Sequence, residues 1–323
     1  MELSALQNND THATVRAPGR FALRMRQRKR AWQLYVLIAI PIAYLLIFRY
    51  YPMLGAQIAF KNYRLTEGIW GSPWSGFNHF VRFINSYQFL RVLRNTLVLS
   101  FYGLLAGFPL PIMLALSLNY LKNDQYRKTV QMVTYAPHFI STVVIVGMIL
   151  QFLAQRGGLV NNFIELFGGD RVAFMSRPGL FPHIYVWSNV WQHLGYSSII
   201  YIATLAGIDP NLHEAAIVDG ANIPQRIWHV DLPGIMPTAV ILLILNTGRI
   251  MEIGFEKTFL MQNPLNLRTS EVINTYVYKV GLTAPIPQFS YAAAIGLFKS
   301  FIGLLLLLTV NRISRRVSET SLW

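Results

Sequence analysis

Six apolar stretches limit what this chain can become. Each is close to the roughly 20 residues that carry an α-helix across about 30 Å of hydrocarbon. They fall at about 33–50, 95–119, 129–153, 183–207, 235–253 and 289–311. Backbone in lipid must satisfy its own N–H and C=O groups, so helices are the spanning element for stretches of this length. The expectation is an all-α integral membrane protein with six transmembrane helices. Composition agrees, at 53% hydrophobic and 13% charged residues with a mean hydropathy of +0.37. Pro41, Pro109, Pro111 and Pro137 lie within the stretches and predict bent helices that neighbours in a bundle re-satisfy. The chain has no cysteine, which excludes disulfides, thiolate zinc sites and a cysteine nucleophile.

Flanking charge predicts the orientation, because basic residues collect on the cytoplasmic side. Residues 1–32 form a polar tail whose second half holds Arg16, Arg20, Arg24, Arg26, Arg28, Lys29 and Arg30. It reads as a basic cytoplasmic anchor on anionic lipid rather than a signal peptide. Lys122, Arg127 and Lys128 crowd the short loop between the second and third stretches, and Arg312, Arg315 and Arg316 follow the last. Both termini are therefore expected inside, with 154–182 and 254–288 outside. Segment 51–94 must also be outside although it holds Lys61, Arg64, Arg82, Arg91 and Arg94; long loops obey the rule less strictly. Its aromatics, Trp70, Trp74 and Phe77 among them, read either as interfacial anchors or as a surface for an external protein, a role that 265–288 could share.

The longest ordered polar segment, 209–237, lies between the fourth and fifth stretches. Asp209 can cap a helix that begins at Pro210. Gly220 can take the left-handed conformation that ends it. Pro224 can start a second short helix, expected to stop before Pro233. Asp209, Glu214, Asp219 and Asp231 stand against Arg226 alone, although the whole chain carries a formal charge of +14. That local acidity argues against nucleic acid and suits a protein partner. A solvated surface loop with a turn is the plainer alternative.

Two stretches carry candidate residues for a substrate path, since polar groups inside spans are expensive and by default functional. Asn246, Arg249 and Glu252, with Glu256 beyond, are spaced three, three and four apart and would share one helix face. Trp187, Asn189, Trp191, His193 and Tyr196 lie on the fourth stretch, Lys299 on the sixth and His138 on the third. Aromatic faces with amide and basic neighbours suit a sugar. The alternatives are an Arg249–Glu252 pair that neutralises itself and tryptophans that serve helix packing. No phosphate-binding loop, nucleophile elbow or His-Glu-x-x-His pair occurs. His213, beside Glu214, reads as a docking-surface residue.

The string Glu214-Ala215-Ala216, Asp219-Gly220-Ala221 and Leu232-Pro233 to Pro237 resembles the EAA loop of binding-protein-dependent ABC importer permeases, with Val230 where isoleucine is frequent. The likeness continues through 49–56, 137–141 and 289–300 and covers most of 33–316. It is similar to the carbohydrate-uptake group of type I importers, in particular the subgroup for acidic oligosaccharides derived from pectin or alginate. The resemblance implies a non-catalytic permease in the bacterial inner membrane. It implies ATPase coupling through Glu214, Ala215, Ala216, Asp219, Gly220, Leu232 and Pro233. The implied partners are a second homologous permease, an ABC ATPase dimer and an extracytoplasmic solute-binding protein. No cofactor is expected on this chain; ATP and magnesium would belong to the ATPase. An ATP-independent carrier or channel, and a membrane enzyme built on Glu252 and Glu256, are the competing classes.

Overall fold

Proline, and what the chain does to accommodate it, shapes the long helices. The computed structural model describes residues 32–317, with side chains to 313. The basic tail expected over 1–32 therefore lies, apart from Trp32, outside the described residues. The chain divides into two units, one ending at Ala56 and one beginning at Gln57. In the first, α1 (Trp32–Leu45) contains Pro41 and runs on through a π-helical turn at Leu46–Tyr50. The wider turn relieves the clash that Pro52 would make with a carbonyl one turn back. None of α1 is buried, and Leu37 and Ile40 are 66% and 70% exposed.

The second unit holds α2 (Asn78–Ile84), α3 (Phe89–Gly107), α4 (Pro109–Asn119), α5 (Asp124–Tyr135), α6 (Thr142–Phe152) and α7 (Leu159–Leu166). It continues with α8 (Phe181–Ala206), α9 (Pro210–Val218), α10 (Ile223–Arg226) and α11 (Leu232–Gly248). Last come α12 (Phe255–Met261), α13 (Ile273–Tyr278) and α14 (Phe289–Val317). Among the described residues there is no strand, only an isolated bridge between Lys61 and Trp74. Helix α8 is the central post and packs on α3, α4, α5 and α11. Apolar clusters sit along it, one around Leu99, Val146, Val186 and Met261 and another around Ala115, Tyr201, Ile235 and Ala239. A third joins Phe83, Val92, Ile273 and Ile295 beside α14.

By length and composition four helical runs can cross a membrane: Trp32–Phe60, Phe89–Asn119, Ile223–Gly248 and Phe289–Ile313. The single helix expected over 129–153 is broken instead. Asp124–Phe139 and Thr142–Phe152 meet at 101°. Pro137 tightens the chain into a 3-10 turn, and Ser141 restarts the helix by capping Val144 N. Helix α8 has 26 residues but a weaker apolar character, because Asn189, Gln192 and His193 lie along it.

The stretch expected at 235–253 differs at both ends. The helix begins at Ile223 and does not stop before Pro233. A π-helical turn at Ile227–Asp231 absorbs that proline and carries α10 into α11. At the other end the helix stops at Gly248. The N–H groups of Arg249, Ile250 and Glu252 donate to the carbonyls of Asn246, Thr247 and Arg249, three residues back, so the helix tightens and ends. Asn246, Arg249, Glu252 and Glu256 therefore do not share one helix face.

Long-range contacts sort the connections into two sets. Glu271, with its side chain 7% exposed, receives Arg91 at 2.5 Å and Lys279 at 3.0 Å. Asn263 and Asn266 donate to the carbonyl of Met175, and Tyr63 N to Ser290 Oγ. These contacts join the three segments expected outside. Tyr120 and Asp231 join the two expected inside. The 31 residues from Phe89 to Asn119 run from the first set to the second, about 46 Å of helix.

Candidate functional site

The loop between α8 and α11 is built by local capping. Asp209 Oδ1 accepts from Asn211 N, with Pro210 opening α9. Gly220 has φ +77°, the left-handed conformation expected of it. Its N–H donates to Ile217 O and that of Ala221 to Ala216 O, at 3.0 and 2.9 Å, which closes the carbonyl end of α9. Asn222 and Gln225 then form a reciprocal capping box for α10. No residue of α9 is buried, and Leu212, Ile217, Val218, Ile223 and Trp228 are exposed apolar side chains. Glu214, Ala215, Asp219 and Gly220 are exposed, Ala216 is half-buried, and Leu232 and Pro233 lie in the first turn of α11.

Two side chains differ from expectation. Asp231 is fully buried and adds nothing to the acidic surface. The Tyr120 hydroxyl donates to its Oδ2 at 2.6 Å, and His213 Nε2 lies 3.4 Å from Oδ1. His213 is thus half-buried and turned towards Asp231 rather than presenting a docking surface. Burial, and then the hydrogen bond to Asp231 and its charge, push the Tyr120 hydroxyl up to about 12, so it stays a donor. Arg226 lies over the other side of the Tyr120 ring, 5.4 Å from its centroid.

A cavity of about 570 Å³ opens among α3, α4, α8 and the end of α11. Asn246, Arg249 and Glu252 all line it, although they come from a helix end and a turn; Asn189 and His193 line it from α8. His193 Nδ1 bonds its own backbone at Asn189 O. Arg249 makes no ion pair with Glu252 within 4 Å, so the two do not neutralise each other. Three expected residues lie elsewhere. Trp187 donates from Nε1 to Tyr102 OH at 2.8 Å and does not line the cavity; neither does Trp191. Lys299 donates to Asn274 Oδ1 at 3.0 Å, away from the cavity.

Sequence reading missed Tyr185, Gln192 and Lys257 on the cavity wall. Lys257 is 4% exposed, and its Nζ has no hydrogen-bond partner. Its Nζ lies over the Tyr185 ring, 5.7 Å from the centroid. Burial alone pushes its ammonium down to about 8. In the sequence it stands in a segment expected to be an outer loop, where a lysine carries no signal. The only hint was Phe255 and Phe259 one turn apart, which mark a short amphipathic helix.

Comparison with known proteins agrees with this geometry. Residues 107–319 match the family described as the binding-protein-dependent transport system inner membrane component. The polygalacturonan/rhamnogalacturonan transport system permease protein YteP of Bacillus subtilis is 40% identical over 304 residues, covering 94% of this chain and 93% of that protein. Protein LplB of Bacillus subtilis is 38% identical over 311 residues, covering 96% and 97%. Among solved structures, a bacterial ABC transporter involved in import of the acidic polysaccharide alginate contains a chain 42% identical to this one. The TM-score is 0.84, with 91% of this chain and 99% of that one covered. The chain is thus a multi-pass, non-catalytic component of the inner membrane and belongs to the permease family of binding-protein-dependent ABC transport systems.

Proposed function

We propose that the chain is the transmembrane subunit of an ATP-driven importer that moves an acidic oligosaccharide across the inner membrane by alternating access. One observation carries the reading: the loop and the cavity are the two ends of one element. The helix Ile223–Gly248 has 26 residues, about 39 Å. It begins beside Gly220 and ends at Gly248, with Asn246 of its last turn on the cavity wall. A partner that shifts the loop therefore moves the wall that meets cargo. Glu214, Ala215, Ala216, Asp219 and Gly220, with Leu232 and Pro233 behind them, form the coupling surface for an ABC ATPase dimer. The exposed apolar side chains there suit a protein groove. Asn246, Arg249, Glu252, Asn189 and His193 supply donors and acceptors for sugar hydroxyls and acid groups.

A second homologous permease completes the pathway, and a solute-binding protein delivers cargo from outside. The solved alginate transporter has been captured with a periplasmic protein carrying an alginate pentasaccharide, which supports both the partner and the cargo class. This chain holds no cofactor; ATP and magnesium are used by the ATPase. Trp187, Trp191 and Lys299 lie off this cavity.

Affinity purification of the tagged chain from native membranes, followed by reconstitution, tests the reading. The expected result is an ATPase and a second permease in near-stoichiometric amounts, with uptake that requires ATP. A chain that purifies alone and imports sugar without ATP would replace this reading with that of a carrier.

A further inference from the structure

The cavity wall holds four charged side chains, and they are not equivalent. Arg249, Glu252 and Glu256 are exposed and keep their water. Lys257 is buried, and no carboxylate lies within 4 Å of it among the described residues. A desolvated ammonium without an acceptor is unfavourable. Cores of this kind pair such a group or replace it, as the Arg91–Glu271–Lys279 cluster in the same unit illustrates. Lys257 instead faces the cavity with Tyr185 beside it and its Nζ unsatisfied. The ammonium stays protonated below about pH 8. The atom itself is covered, so an anion in the cavity supplies the missing acceptor once the side chain swings its Nζ out from under that cover.

We propose that Lys257 is the specificity-determining cation of this cavity, receiving a carboxylate of an acidic sugar and so favouring uronate-containing oligosaccharides over neutral ones. This deepens the reading of the chain as an oligosaccharide permease and rests on it. The two cations and two carboxylates of the wall cancel formally, so the overall field of the cavity does not select an acid. Selection comes from one desolvated pairing, where charge-assisted hydrogen bonds are strongest. Glu252 and Glu256 are left to accept from hydroxyls.

The test uses the complete importer in proteoliposomes, comparing parent, Lys257→Met and Lys257→Arg. The probes are trigalacturonate, trimannuronate and the methyl esters of both, which keep the sugar and remove the charge. The same solute-binding protein serves all three versions, so any difference among them belongs to this chain. The parent should prefer acid to ester in kcat/KM. Lys257→Met should lower that ratio by about 10- to 100-fold, and Lys257→Arg should keep most of it. A parent-like ratio in Lys257→Met overturns the proposal. So does an equal fall for acid and ester, which marks a structural role only. A parent that imports the esters and not the acids, or none of the probes, overturns the acidic-cargo reading itself, and the assignment of Lys257 falls with it.

Discussion

Gly220 gives the sharpest test of the proposed coupling loop, because its requirement is conformational and separable from contact. An added Cβ would meet nothing within 4 Å, so Gly220→Ala perturbs only the backbone. Holding a non-glycine residue at φ +77° is unfavourable by about 1–2 kcal/mol. That lowers the ratio of correctly turned to misturned loops by about 5- to 30-fold. Asparagine tolerates this region better than alanine and should fall between glycine and alanine. Proline fixes φ near −65°, about 140° away, and removes the N–H that donates to Ile217 O; the penalty is about 3 kcal/mol or more. Transport in the reconstituted importer should therefore rank Gly, Asn, Ala, Pro. Proline should leave little uptake while the protein remains in the membrane. ATP hydrolysis measured alongside separates lost coupling from lost assembly, since an uncoupled complex still hydrolyses. Parent-like uptake by Gly220→Pro, or alanine outperforming asparagine, would refute the assignment of the turn.

Three further outcomes follow from the packing. In Gly195→Ala the new Cβ would collide with the Thr134 carbonyl oxygen and stand 2.8 Å from Tyr135 Cδ1, so α5 and α8 must part. Thermal unfolding in detergent should show a loss of about 1–3 kcal/mol, whereas Gly147→Ala, which meets nothing, should lose none. Tyr120→Phe removes the hydrogen bond to buried Asp231, worth about 1.5–3 kcal/mol for a charged acceptor. Hydrogen exchange across 209–231 should rise; unchanged exchange would mean that the pair does not hold the loop. Lys257→Met, tested without cargo, should stabilise the chain. With a folded value near 8 against 10.5 unfolded, the unfolded state binds the proton more tightly, so the ammonium destabilises below about pH 8 and this effect fades towards pH 10.5. The expected gain at pH 7 is about 3 kcal/mol, and its absence at pH 7 in thermal scans would argue that the ammonium has an acceptor.

Local chemistry explains what was legible in the sequence. The caps at Asp209 and Gly220 need only neighbouring residues, and both form as the sequence predicts. Asn246, Arg249 and Glu252 do meet in one cavity, although the argument from a shared helix face does not hold. The helix ends because three-residue hydrogen bonds replace four-residue ones after Asn246, and no proline marks the place. The continuity past Pro233 was equally hidden, since a π-helical turn absorbs a residue that otherwise reads as a stop. His213 and Asp231 looked like surface residues. Asp231 is buried against Tyr120, about a hundred residues earlier and reached only through the tertiary fold, and His213 turns towards it. Lys257 was invisible for the same reason, because Tyr185 and the cavity come from another helix.

The break after Gly248 is where the proposed coupling and the proposed selectivity meet. Irregular backbone within a membrane fold persists only where protein or a water-filled space satisfies it. Here the turn 249–254 borders the cavity, and Arg249 and Glu252 remain exposed within it. An unbroken helix through Glu256 would have spread Asn246, Arg249, Glu252 and Glu256 along about 15 Å of one face, and each would have faced lipid or a neighbour at a different depth. Ending the helix early gathers them around one space and lets α12 return Lys257 to the same wall. The cavity wall therefore hangs from the end of the helix that the loop at Gly220 begins. In the proposed importer, a displacement of that helix by a partner at one end changes the cargo contacts at the other without any separate relay.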